Sequence, residues 1–125
     1  MTRVPELMAA GVNVAFGHDC VMDPWYAMGS GDMLEVAHMG LHVAQMTSQA
    51  GIHACFDAIT GNAARVMHLP GYGLEAGCNA DFVLLQAHDV VEAIRLRPVR
   101  LGVWRRGACI AETSPVLSRL NLTAA

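Results

Sequence analysis

Apolar positions follow two patterns along the chain, and the change falls near residue 70. From Met33 to about Ser48, the residues Met33, Leu34, Val36, Ala37, Met39, Leu41, Val43, Ala44 and Met46 wrap most of a helical circumference, and Asp32 stands where a helix cap belongs. This predicts one long helix buried on more than one side. Upstream, Thr2 to Ala10 predicts a shorter helix, with Thr2 as N-cap, Pro5 in the first turn and Gly11 ending it. Val12-Asn13-Val14-Ala15-Phe16 then runs without a charge into Gly17-His18-Asp19-Cys20, the pattern of a buried strand that delivers polar groups at its carboxyl end. Cys20 to Gly31 reads as a loop, with Asp23-Pro24-Trp25-Tyr26 at its centre and Gly29-Ser30-Gly31 at its exit. Gly51 to Leu69 predicts two short helices broken around Thr60-Gly61-Asn62, with Thr60 or Asn62 capping the second.

Beyond the turn Pro70-Gly71-Tyr72-Gly73 the pattern is that of strands. Phe82 to Leu85 predicts a short strand, and Val99 to Trp104 with Ala108 to Ala111 predicts a hairpin turning at Arg105-Arg106-Gly107. The stretch from Asp89 to Ile94 separates them without an assigned element, and the tail after Pro115 reads as a loose strand or as disorder. Helices followed by antiparallel strands divide the chain into residues 1–70 and 71–125.

Composition sharpens this picture. Of 125 residues, 54% are hydrophobic and only 15% charged, whereas an ordinary domain carries about a quarter charged residues. Much of the surface is therefore expected to be covered, by another subunit in a homo-oligomer or by the rest of a longer chain. Five of the eight basic residues, all arginine, lie between Arg95 and Arg106. The net charge of -3 and the absence of an aromatic stacking series argue for a solvated sheet face and against nucleic-acid binding. No stretch has the length of a membrane span and no leader pattern opens the chain, so a cytoplasmic protein without a membrane partner is expected. The four cysteines, Cys20, Cys55, Cys78 and Cys109, form no Cys-x-x-Cys pair, which fits free thiols in a reducing compartment.

Two groups of residues could carry chemistry. Asp19 ends the candidate strand, where a parallel barrel places metal ligands and proton acceptors, although a carboxylate there also serves as a turn cap. Glu35, His38 and His42 share one face of the long helix. The residues between the two histidines include no glutamate, and no second motif completes a di-metal bundle, so these side chains read as packed histidines.

The order Val12 to Asp19, then Asp23-Pro24-Trp25-Tyr26, then a long helix with His38-Met39-Gly40-Leu41-His42, then Gly77-Cys78-Asn79-Ala80-Asp81 before a strand, resembles the C-terminal part of the cytosine deaminases of the amidohydrolase superfamily. The resemblance implies an α/β fold: the closing part of a (β/α)8 barrel over residues 1–70, and strands of a small β-sandwich over 71–125. It implies one divalent metal, iron or zinc, held by histidines from earlier strands and by an aspartate at the end of the eighth strand. Asp19 matches that aspartate, as metal ligand and as proton acceptor for a metal-activated hydroxide attacking the ring carbon that bears the amino group. Trp25 matches a tryptophan lining the substrate pocket, and His18 matches a group that orients the loop beside the ligand.

Where the family's best-known members carry a second aspartate directly after the metal ligand, this chain has Cys20. A small, soft thiol there fits a pyrimidine base with an apolar group at C5, such as 5-methylcytosine, or is a neutral replacement. The family's metal histidines and proton shuttles have no counterparts here. A full barrel takes roughly 250 residues, so a missing N-terminal barrel portion is expected and the isolated chain should be inactive. Two alternatives remain: an amidohydrolase for another cyclic amidine or amide, and a non-catalytic interaction domain.

Overall fold

The structure, a computed structural model, describes residues 2–121. Five helices are formed, α1 (Val4–Ala9), α2 (Met33–Val43), α3 (Gln49–Ile59), α4 (Gly61–Val66) and α5 (Val90–Leu96), with three strands, β1 (Phe82–Leu85), β2 (Arg100–Arg105) and β3 (Ala108–Glu112).

The interior lies where α2, α3 and α5 meet. Ala37, Cys55 and Ala58 are completely buried, and Ala93 and Ile94 nearly so. Small residues at the crossing points let the helix backbones approach, while Leu34, Leu41, Met46 and Ile94 fill the space between them. Because α5 comes from beyond residue 70, both halves of the chain share this interior.

The strands form one antiparallel sheet in the order β1-β2-β3. Phe82 pairs with Trp104, and their rings stack at 4.7 Å. Every position of β3 is exposed, so the sheet is covered poorly on both faces. The mixed α/β class and the hairpin agree with the sequence; the barrel itself is a property of the family and is not formed by this chain alone.

Several boundaries differ from expectation. Val12 to Phe16 forms no β-ladder, because a ladder needs a neighbouring strand and none lies beside it among the described residues. Side chains and a helix hold it instead. The Asn62 Nδ2 amide donates to the Val14 carbonyl at 2.8 Å, Asn13 Nδ2 donates to the Asn62 carbonyl at 3.1 Å, and the Phe16 N–H donates to the Ala58 carbonyl at 2.9 Å. The Phe16 ring lies over Gly40 of α2, where an added Cβ would stand 2.6 Å from its Cε2.

The long helix ends at Val43 rather than near Ser48, since Gln45 turns to φ 56° and Ser48 caps α3, accepting from the Gly51 N–H at 3.1 Å. At α1, Arg3 and not Thr2 occupies the N-cap, with no side-chain cap bond. The break at Thr60 is present, but its hydroxyl donates back to the Phe56 carbonyl at 2.8 Å instead of capping α4.

Helix α5 forms where the hydrophobic pattern marks no element. Its signal is Asp89 capping the Glu92 N–H at 2.7 Å while Glu92 accepts from the His88 N–H at 2.8 Å, close to a capping box.

In the tail, Gln86 clamps Val116 through two bonds, accepting from its N–H at 2.9 Å and donating to its carbonyl at 2.8 Å. Residues 113–121 have no regular structure, and the rest of the predicted loose tail lies outside the described residues.

Candidate active site

Gly17 to Cys20 leave the segment seated on α2, α3 and α4 and turn sharply. The Cys20 N–H donates to the His18 carbonyl at 2.9 Å, closing a three-residue turn with Asp19 at its centre at φ 64°. This is the strained form of γ-turn, in a backbone region that aspartate enters more readily than most residues. The turn throws the Asp19 side chain outward: the residue is exposed, and among the described residues its carboxylate enters no ion pair.

His18 ties the loop at both ends. The Gly31 N–H donates to Nε2 at 3.1 Å, so Nε2 carries no proton and Nδ1 must donate, which it does to the Cys20 carbonyl at 2.8 Å. One neutral imidazole thereby bridges the start and exit of the loop. Gly29, the loop's one buried residue, sits so close that an added Cβ would meet the Cys20 carbonyl oxygen and stand 2.9 Å from His18 Cε1.

Asp23 shapes the loop's centre. Its Oδ1 accepts from the Trp25 N–H at 2.9 Å and the Tyr26 N–H at 3.1 Å. These bonds, led by that of Tyr26, hold its carboxyl below the usual carboxylate range. The Cys20 thiol is pushed up, first by partial burial, then by its hydrogen bond to Asp23 and the negative charges of Asp19 and Asp23. Cys20 therefore presents a protonated, weakly polar thiol near neutral pH, and not a thiolate nucleophile.

The loop presents Trp25 90% exposed. Beside it a groove of about 470 Å³ separates residues 14–18 from α2, lined by Val14, Phe16, His18, Tyr26, Val36 and Met39 among others. His18 is bonded to the Cys20 carbonyl and to Gly31, and Asp23 to Trp25 and Tyr26, whereas Asp19 and Trp25 project from the loop and neither lines that groove. Asp23 and Gly29 were missed as site residues; the signal for Asp23 was the Asp-Pro turn itself.

His38 and His42 lie edge to face on α2, with ring centroids 4.9 Å apart; His38 is half-buried, whereas His42 is exposed and so is not the packed histidine expected from the sequence, because its position on α2 faces away from the interior. Among the described residues no three His, Cys, Asp or Glu side chains converge into a metal-holding group. Asp19 carries a carboxylate, a donor type suited to iron or zinc, and a complete ligand set around it would need groups beyond the described residues. No helix among the described residues is long and apolar enough to cross a membrane.

The site thus consists of an exposed carboxylate at a tight turn beyond a segment seated on helices, with a pinned loop bearing Trp25 beside it. Residues 1–111 match the amidohydrolase family, and the chain belongs to that family.

Among solved structures, 5-methylcytosine deaminase from Klebsiella pneumoniae liganded with 5-fluorocytosine superposes with a TM-score of 0.89 at 36% identity, over 96% of this chain and 29% of that one. N-isopropylammelide isopropylaminohydrolase from Burkholderia multivorans ATCC 17616 superposes with a TM-score of 0.85 at 35% identity, over 92% of this chain and 30% of that one. The N-isopropylammelide isopropyl amidohydrolase of Pseudomonas sp. (strain ADP) is 28% identical over 116 residues, which is 92% of this chain and 29% of the relative. The resemblance to cytosine deaminases is borne out, and the chain spans about 30% of the length of the relatives it matches.

Proposed function

We propose that this chain supplies the closing segment of a metal-dependent deaminase acting on a cytosine-like base substituted at C5, such as 5-methylcytosine. In this reading residues 1–70 are the last strand and flanking helices of a hydrolase barrel, and residues 71–125 belong to the adjoining β-sandwich. The remaining barrel comes from outside the chain.

The observation that carries the proposal is the γ-turn at Asp19. It holds a free carboxylate outward beside Cys20, and His18 and Asp23 fix the loop around it. Asp19 is assigned as metal ligand and as acceptor of the proton released when water adds to the ring carbon bearing the amino group, before ammonia leaves. A divalent cation, iron or zinc, supplies the acidification of water that makes hydroxide available near neutral pH. Cys20 faces the C5 substituent as an uncharged group, and Trp25 offers its exposed ring as a platform for the flat base. His18 sets the loop and touches no reacting atom.

The test combines this chain, iron(II) or zinc, and the portion of the Klebsiella enzyme that it does not cover. Ammonia release from 5-methylcytosine and cytosine is then measured. Asp19→Asn should lower the rate by about 10²–10⁴-fold, and Cys20→Asp should shift the preference toward cytosine by about 10-fold or more. Absence of ammonia release from either base overturns the deaminase reading. A second reading is favoured by the TM-score of 0.85 to the Burkholderia enzyme: turnover of N-isopropylammelide in the same assay, with both pyrimidines inert, would replace the first.

A further inference from the structure

Three ion pairs form among the described residues. Two join neighbours within single helical turns, the exposed Arg3 and Glu6 and the exposed Arg95 with the half-buried Glu92, of the kind that contributes little. The third joins residues 68 positions apart. Arg100, the first residue of β2, reaches the carboxylate of Asp32, which caps α2. This pair is partly withdrawn from water, with the Asp32 side chain 19% and the Arg100 side chain 39% exposed, so it is screened less than the other two.

The carboxylate it grips is already oriented, since Asp32 Oδ1 also accepts from the Leu34 N–H at 2.8 Å. Asp32 closes the exit of the 20–31 loop. Its own N–H donates to Ser30 Oγ at 3.1 Å, the Ser30 hydroxyl donates to Glu35 on α2, and the Gly31 N–H is held by His18. Three consecutive residues at the loop exit are therefore anchored to three places: Ser30 to α2, Gly31 to the segment bearing Asp19, and Asp32 to the sheet.

We infer that Arg100 is a positioning residue for the 20–31 loop, a tether through which the three-stranded sheet holds the loop bearing Cys20 and Trp25. What the loop contacts rests on the deaminase reading; the tether does not. A guanidinium suits the task because its fixed fork constrains direction as well as distance, which an ammonium does not.

The test is amide hydrogen exchange on this chain, comparing a peptide covering residues 18–32 with one from the interior helix α3. Arg100→Gln should speed exchange in the loop peptide by about five- to tenfold, the consequence of losing one charge-assisted bond, and leave the α3 peptide unchanged. Asp32→Asn keeps a competent helix cap and should loosen the loop to the same extent. Combining both changes should add nothing, and Arg100→Lys should restore part of the protection.

Unchanged loop exchange in Arg100→Gln, or equal acceleration in α3, overturns the tether. In the assembled enzyme the same variant should raise KM for the base several-fold more than it lowers kcat; equal losses in both would also overturn a positioning role. If the unsubstituted assembly deaminates no base, the deaminase reading fails while the exchange experiment still decides the tether.

Discussion

Between α2, α3 and α5 the buried positions are apolar throughout, and no polar or charged side chain is fully buried among the described residues. From Gly17 to Gly31 the balance is reversed. Only Gly29 is buried there, and the shape is set by His18, Asp23 and a strained turn. The first region tolerates changes of sequence that conserve volume, because burial has no direction. The second depends on individual bonds at set angles, which fix where the Asp19 carboxylate and the Trp25 ring stand on the surface.

The sharpest way to break this contrast is to damage the interior alone. Ile94 is 1% exposed, and Ile94→Ala should lower unfolding stability by about 2–5 kcal/mol in urea titrations. A loss below about 1 kcal/mol would mean that the interior collapses around the gap and is less tightly packed than it looks.

The complementary change falls on the loop. Gly29→Ala introduces a Cβ against the Cys20 carbonyl and His18, which should cost about 1–3 kcal/mol. Because the Cys20 carbonyl must move, alkylation of the Cys20 thiol by iodoacetamide should speed up. A variant with wild-type stability and alkylation rate would show that the loop is not held by that contact.

The smallest effect concerns acid sensitivity. Burial, followed by the positive charges of Arg97 and of His42, pushes His38 below its ordinary value of 6.5, against a carbonyl contact from Ile94 that acts the other way. A depressed histidine binds its proton more readily in the unfolded chain, so stability should fall as pH drops below 6.5. Replacing His38 by Asn should flatten that slope between pH 7.5 and pH 5. An identical slope in the variant would assign the acid sensitivity to other groups.

Local pattern made some of this legible and distance hid the rest. The strand Phe82–Leu85 and the hairpin around Arg106-Gly107 were readable because alternation and turn residues act within a few positions. The early end of α2 was not: Ala44, Gln45 and Met46 continue the helical pattern, and no glycine or proline marks the turn at Gln45. The cap of α5 lies in the sequence as Asp89 and Glu92, but a helix of seven residues carries too little periodicity to stand out beside it.

At the candidate site, Asp19 was legible from the run of apolar residues before it and from the family likeness. The bridge from His18 to Gly31 spans 13 positions and that from Arg100 to Asp32 spans 68, and no local propensity encodes either. The irregular state of Val12–Phe16 has the same origin, since alternation specifies a strand only where another strand can pair with it.

The contact between Phe16 and Gly40 has a consequence for adjusting this protein. Any side chain at position 40 would act as a shim beneath the ring, lifting Phe16 away from the helix and shifting the acid three residues further on. A site of this kind can be retuned from behind, through a helix position that touches the segment carrying the acid rather than the acid itself.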